Sequence, residues 1–206
     1  MITHFVHKPD SLKKTRDELK KVTLELFPDE TYSNDCAYLG EVMKIEVFQE
    51  LEYLSTVVNE ALRFEPPATV TTPQFLKTDC KLGNYEFKKG DVIANHIYGL
   101  HMNSNEWQRP FEFIPERFDS NSELSLTPGG KKRNTGSYCP FGGGMRICLG
   151  KTFADVNMKI MMTYMTQIFN FEHVEKKYQD GDFPYSHFLQ SDCRPIWVKL
   201  SLNKSD

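Results

Sequence analysis

The sequence predicts a mainly α-helical fold carrying a small antiparallel β-sheet, an α+β arrangement. Three observations predict it. Residues 9–26, 46–64 and 151–169 place apolar side chains at helical spacing. Residues 70–98 lose that period and become short β-prone runs, broken by the turn signals Gly83-Asn84 and Lys89-Gly90-Asp91. A composition 39% hydrophobic and 13% aromatic over 206 residues can bury a real core. A formal net charge of −3 gives no global pull toward nucleic acid or anionic lipid. No window approaches a membrane-spanning apolar run, and the first thirty positions carry no basic-then-apolar leader, so the chain as given reads as soluble and cytoplasmic.

Pro9 and Asp10 open the first helix, with proline in the first turn and an acid near the positive end. Leu12, Leu19, Val22 and Leu26 share one face, and Lys13, Lys14, Arg16, Lys20 and Lys21 read as the solvated one. Phe27-Pro28-Asp29 closes this helix, and residues 29–36 read as a polar connection. In the next helix Val47, Leu51, Leu54, Val58 and Ala61 form a stripe widened by Phe48 and Leu62, ending at Pro66-Pro67. Glu60 and Arg63 fall nearly opposite that stripe. From periodicity alone they are a surface ion pair worth about 0.2–0.5 kcal/mol. The β-prone runs are 70–72, 74–76, 81–82, 85–87 and 92–98. Residues 101–107 read as a helical turn, and Phe111, Phe113, Ile114 and Phe118 as an apolar meander. Residues 120–135 are polar and end in Lys131-Lys132-Arg133, a basic run that reads as solvated loop. After position 150, Phe153, Val156, Ile160, Tyr164 and Ile168 make one helical face, with Met161 and Met165 beside it as core filler. Residues 170–173 and 196–202 are closing strands around a polar loop at Asp180-Gly181-Asp182.

The chemistry-bearing stretch is Pro140-Phe141-Gly142-Gly143-Gly144-Met145-Arg146-Ile147-Cys148-Leu149-Gly150, where a glycine-rich loop meets the last long helix. Three glycines in a row are kept where backbone must reach positive φ or let another group approach closely. Cys148 precedes a helix start, where free N–H groups favour a thiolate, a soft metal ligand. The other cysteines, at 36, 80, 139 and 193, form no C-x-x-C pair and no C-x-x-C-H attachment site, so neither a zinc cluster nor covalent haem is indicated. The odd number also fits reduced thiols. No histidine pair has the i, i+4 spacing of a helical metal site. Gly150-Lys151-Thr152 ends like a phosphate-binding loop, but that motif needs glycine where Met145 stands and a hydrophobic strand where 131–139 is basic and polar. A helix-entry turn with an inert buried cysteine is the bland alternative; the glycines, Arg146 and Phe141 together favour a cofactor loop.

Phe141 through Gly150 resembles, with no mismatch, the F-x-x-G-x-R-x-C-x-G haem-binding loop of the cytochrome P-450 family of haem-thiolate monooxygenases. Glu60-Ala61-Leu62-Arg63 is similar to that family's E-x-x-R helix and Pro115-Glu116-Arg117-Phe118 to its P-E-R-F segment, in the family's order. The resemblance covers only the C-terminal part of such a protein, so residues 1–206 are expected to be a haem-binding portion lacking the N-terminal region and the distal oxygen-activating helix.

The resemblance implies haem b, iron protoporphyrin IX, with Cys148 as axial ligand and catalytic centre. Phe141, Gly142, Arg146 and Gly150 would join Cys148 in holding it, Phe141 shielding the sulfur and Arg146 facing a haem carboxylate. Glu60, Arg63 and Arg117 would form a buried scaffold network, and residues 68–72 would line a pocket for a small lipophilic substrate. Pro73 stands near where many members carry a propionate-binding arginine. An electron-donating reductase is the implied partner, docking near Lys131, Lys132 and Arg133. The implied location of a full-length parent is the cytosolic face of the endoplasmic reticulum membrane, through an anchor upstream. The alternative is a truncated module that binds haem weakly or not at all.

Overall fold

The computed structural model of the chain describes residues 1–174 and 197–203. Seven α-helices carry the fold among the described residues: α1 Ile2–His7, α2 Pro9–Leu26, α3 Cys36–Val42, α4 Ile45–Glu50, α5 Glu52–Phe64, α6 Ile97–His101 and α7 Lys151–Ile168. Short antiparallel ladders take the place of one sheet. β1 (Gln74–Phe75) pairs with β4 (Val92–Ile93), and β2 (Cys80–Leu82) with β3 (Tyr85–Phe87). β5 (Phe169–His173) pairs with β6 (Val198–Leu202), with Phe171 opposite Leu200. The expected closing strands are therefore present; Cys193 and the turn at Asp180-Gly181-Asp182 lie outside the described residues. Among the described residues no helix is long and apolar enough to cross a membrane.

Helix α5 is the axis of the molecule. Leu54, Val57, Val58, Ala61 and Leu62 join Phe5 of α1, Leu19 and Val22 of α2, Leu39 of α3, Val47 and Phe48 of α4, Phe113 and Met162 of α7 in one buried cluster. The long helix expected over 46–64 is two. The chain leaves helical geometry at Leu51 (φ −79°, ψ 79°), and the carboxylate of Glu18 on α2 accepts from Tyr53 N at 2.5 Å and Leu54 N at 2.9 Å. A cap supplied from another helix starts α5, and no local pattern announces it. Burial pushes the Glu18 carboxyl up in spite of those two bonds.

Other elements differ from expectation for similarly non-local reasons. Within 29–36, only the start of α3 is reached: Asp35 accepts from Tyr38 N at 2.8 Å and begins a helix. The run 92–98 is strand only at Val92–Ile93 and then enters α6. Arg16, placed on the solvated face of α2 by spacing, turns inward and donates to Thr166 O at 2.7 Å, Phe169 O at 2.8 Å and Asn170 Oδ1 at 2.9 Å. It thereby satisfies carbonyls at the end of α7 that have no partner within the helix. On α7 the deeply buried side chains are Met162, Thr163, Thr166 and Gln167, one face round from the apolar stripe. Thr166 Oγ1 bonds back to Met162 O at 2.7 Å, which lets a hydroxyl sit in the core. Ile160, Tyr164 and Ile168 are half-buried, while Phe153 and Met161 are exposed.

Candidate functional site

The site rests on a buried cluster of charge. Glu60, Arg63 and Arg117 are each fully buried. Arg63 Nε and Nη2 donate to the two Glu60 oxygens at 2.7 and 2.8 Å, Arg117 Nε donates to Glu60 Oε1 at 3.2 Å, and Ile114 N–H to the same oxygen at 2.7 Å. The surface-pair reading of Glu60 and Arg63 is thus replaced by the buried network, because the segment ending in the 3₁₀ turn Pro115–Phe118 packs over that face of α5. One carboxylate faces two guanidinium groups. The remaining donors are taken up by backbone: Arg63 reaches His101 O at 3.0 Å, Pro110 O at 2.8 Å and Glu112 O at 3.1 Å, and Arg117 reaches the carbonyls of Gln108, Arg109 and Glu112. Every donor that burial strips of water thereby finds an acceptor.

Two side chains tie this cluster toward the glycine loop, and the sequence marks neither. His101, fully buried, receives the Cys139 N–H on Nε2 at 3.0 Å, so Nδ1 carries the proton and donates to Arg63 O at 3.1 Å. Burial lowers its pKa to about 4, keeping the ring neutral. Arg133, expected on a solvated basic run, is half-buried. It donates to Leu124 O at 2.8 Å and Arg117 O at 2.6 Å, and its guanidinium lies 4.3 Å from the Trp107 ring centroid. Lys131 and Lys132 beside it are exposed.

The loop itself is shaped by its glycines. Gly142 and Gly144 adopt φ of 73° and 68°, and a side chain added at 142, 143 or 144 would meet nothing within 4 Å. Gly142 N–H bonds Cys139 O at 3.0 Å, Gly144–Arg146 forms a 3₁₀ turn, and Cys148 N–H returns to Phe141 O at 2.9 Å. Phe141 is half-buried against the core, whereas Met145, Arg146, Ile147, Cys148 and Leu149 are exposed. Ala154 N–H to Gly150 O at 2.8 Å starts α7 at Lys151, three residues beyond Cys148, and a side chain added at Gly150 would meet the Cys148 sulfur at 3.8 Å. Pro73 is exposed just ahead of β1. Thr69, in the 68–72 segment, is buried and accepts from Tyr98 N at 3.1 Å.

These residues fit a haem. Among the described residues no three His, Cys, Asp or Glu side chains gather as a ligand set, so an iron bound by Cys148 must bring its other ligands, as a porphyrin does. The thiol stands on the open side of a loop whose glycine positions face empty space, which suits close approach of a flat group. Arg146 is exposed and has no carboxylate partner among the described residues, which leaves its charge open to an anionic group. The cleft bounded by Leu62, Tyr138, Phe141, Lys151 and Asp155 is about 140 Å³, below the usual 300–1,000 Å³ of cofactor pockets, so the outer face is the one available. A larger hollow of about 290 Å³ is lined by Glu18, Lys21, Glu50 and Glu52 and shares no residue with the loop.

The Cytochrome P450 family model matches residues 1–190. Cytochrome P450 3A11 of Mus musculus is 34% identical over 192 residues, 93% of this chain and 34% of the relative. Cytochrome P450 3A18 of Rattus norvegicus is 38% identical over 131 residues, 64% of this chain and 25% of the relative. The steroid 17-alpha-hydroxylase/17,20 lyase of Oryzias latipes is 29% identical over 169 residues, 82% of this chain and 29% of the relative. The solved structure of the retinoic acid-bound cyanobacterial CYP120A1 superposes with a TM-score of 0.74 at 27% identity, covering 97% of this chain and 40% of that one. The chain thus spans about a quarter to two fifths of the proteins it matches. With a family match across most of its length, and with the loop, the buried charge cluster and the helical frame agreeing, this chain belongs to the cytochrome P450 family.

Proposed function

We propose that this chain is the C-terminal, haem-holding part of a cytochrome P450 monooxygenase. The exposed Cys148 thiol carries the reading: it is held by a backbone bond to Phe141 beyond a loop braced on the buried Glu60 network. Haem, when bound, supplies activation of dioxygen and insertion of one oxygen atom into an organic substrate, with electrons from a reductase. The residues of this chain ligate and orient. Cys148 would hold the iron through its thiolate; Gly142 and Gly150 would keep side chains out of the cofactor's way; Arg146 would neutralise a carboxylate; the Phe141 ring would set the apolar side of the loop. Lys131 and Lys132 form the cationic approach for an acidic donor, and Arg133, already committed to Trp107, holds the backbone from which they project. The lipophilic substrate class follows the names of the relatives, a steroid hydroxylase and a retinoic acid-bound protein. Attachment of a longer parent to the endoplasmic reticulum membrane belongs to the same proposal.

The second reading, that the chain alone binds haem weakly or not at all, is favoured by the bare Met145, Ile147, Leu149 and Phe153 around the thiol. One experiment addresses both. Purified chain is mixed with haem, reduced with dithionite and exposed to carbon monoxide. A thiolate-type Soret band in the difference spectrum, absent in Cys148→Ala, is the expected result. Identical spectra from the two proteins remove the ligation. Turnover of a lipophilic substrate with added reductase then separates a working enzyme from a haem-binding remnant.

A further inference from the structure

Away from the cysteine loop, the first helix and the closing hairpin meet through a pair of imidazoles. His7 closes α1 and His173 closes β5, 166 positions later, and their Nε2 atoms stand 3.0 Å apart. The rings are tilted by 36° with centroids 4.9 Å apart, closer than a head-on pair would sit. His173 is buried, which fixes one half of the pair in place, while His7 is partly open to water.

We infer that His7 and His173 form a two-histidine site for one divalent late transition-metal ion, of which Ni²⁺ is the simplest probe. With metal–nitrogen bonds of about 2.0–2.1 Å, nitrogen atoms 3.0 Å apart subtend about 91–97° at a shared ion. That is the angle between neighbouring positions of a square-planar or octahedral complex. Imidazole nitrogen suits this class of metal, and His7 is partly open to water. Neither histidine belongs to the cysteine loop or the Glu60 network, so the site stands apart from the haem reading. Its effect is mechanical. A metal there clips the first helix to the closing hairpin and stabilises the folded chain as free metal rises above the dissociation constant.

The test is a Ni²⁺ titration of the untagged 206-residue chain by calorimetry, with thermal melts alongside. One ion per chain binds, the melting midpoint rises with metal, and His7→Ala weakens binding by at least about ten-fold, since a lost ligand costs no less than a lost supporting bond. His96→Ala, at an exposed position, leaves binding unchanged. Because His173 is buried and its replacement can unfold the hairpin, His7→Ala decides, with far-ultraviolet circular dichroism confirming that the variant is folded. An unchanged dissociation constant in folded His7→Ala, absence of binding by the native chain, or a nickel–thiolate absorption band placing the ion on cysteine each overturns the inference.

Discussion

Replacing Glu60 by glutamine tests the frame of the site directly. The side chain keeps its size, but the two guanidinium groups beside it, both fully buried, lose their shared counter-charge. One end of the new amide also presents hydrogens to donors that now find carboxylate oxygens at 2.7 and 2.8 Å. Removing one partner from a buried ion pair costs about 3–5 kcal/mol, a large part of the roughly 5–15 kcal/mol that holds a domain folded. With a urea dependence of about 2 kcal/mol per molar, a 4 kcal/mol loss moves the unfolding midpoint down by about 2 M. Urea titration followed by circular dichroism measures it. Lys13→Gln, which removes the exposed pair with Asp17 at 2.5 Å, is the control and leaves the unfolding midpoint essentially where it was. If Glu60→Gln behaves like that control, the network is not the structural centre described here.

Other outcomes follow from the same geometry. Arg133→Leu loses two backbone acceptors and the contact with Trp107, and is expected to cost about 2–3 kcal/mol by denaturation. Charge reversal at Lys131 and Lys132 leaves stability within about 0.5 kcal/mol while slowing reduction by an acidic donor and flattening its salt dependence; an unchanged reduction rate removes the docking assignment. His101 has a folded pKa of about 4, below the ordinary 6.5, so between those values the unfolded chain binds the extra proton. Its contribution is therefore intact above pH 6.5 and is lost as pH falls toward 4, by about 3 kcal/mol in all; His101→Asn should unfold with a shallower pH dependence over that window. Gly144→Ala forces a side chain into φ of 68° at about 1–2 kcal/mol without any clash, so its melt falls modestly while haem uptake falls further.

Much of this was legible in residue order because the relevant signals are local. Pro9 and Pro28 bracket α2, Gly83-Asn84 turns β2 into β3, and the cysteine loop carries its glycines in one run. What escaped depends on partners far along the chain. Spacing put Glu60 and Arg63 on the outer face of their helix, and only residues 110–117 folding back over that face make them interior. Arg16 and Arg133 were counted as solvated because a cation in a basic run looks so until the carbonyls or ring that receive it are known. The helix break at Leu51 needed a carboxylate from α2, and the buried threonines of α7 needed their own backbone as acceptor. Six scattered histidines gave no pattern, yet His101 joins the frame to the loop and His7 meets His173.

The imidazole lodged between Arg63 and Cys139 bears on the order of events during maturation. Each of its two bonds closes a stretch of 38 positions, and both must be made before the loop is anchored. Anchoring of the loop that carries the thiol therefore depends on residues from Arg63 to Cys139 being assembled together. On the haem reading proposed above, a chain that has not yet closed those two contacts is expected to take up cofactor more slowly than the folded one.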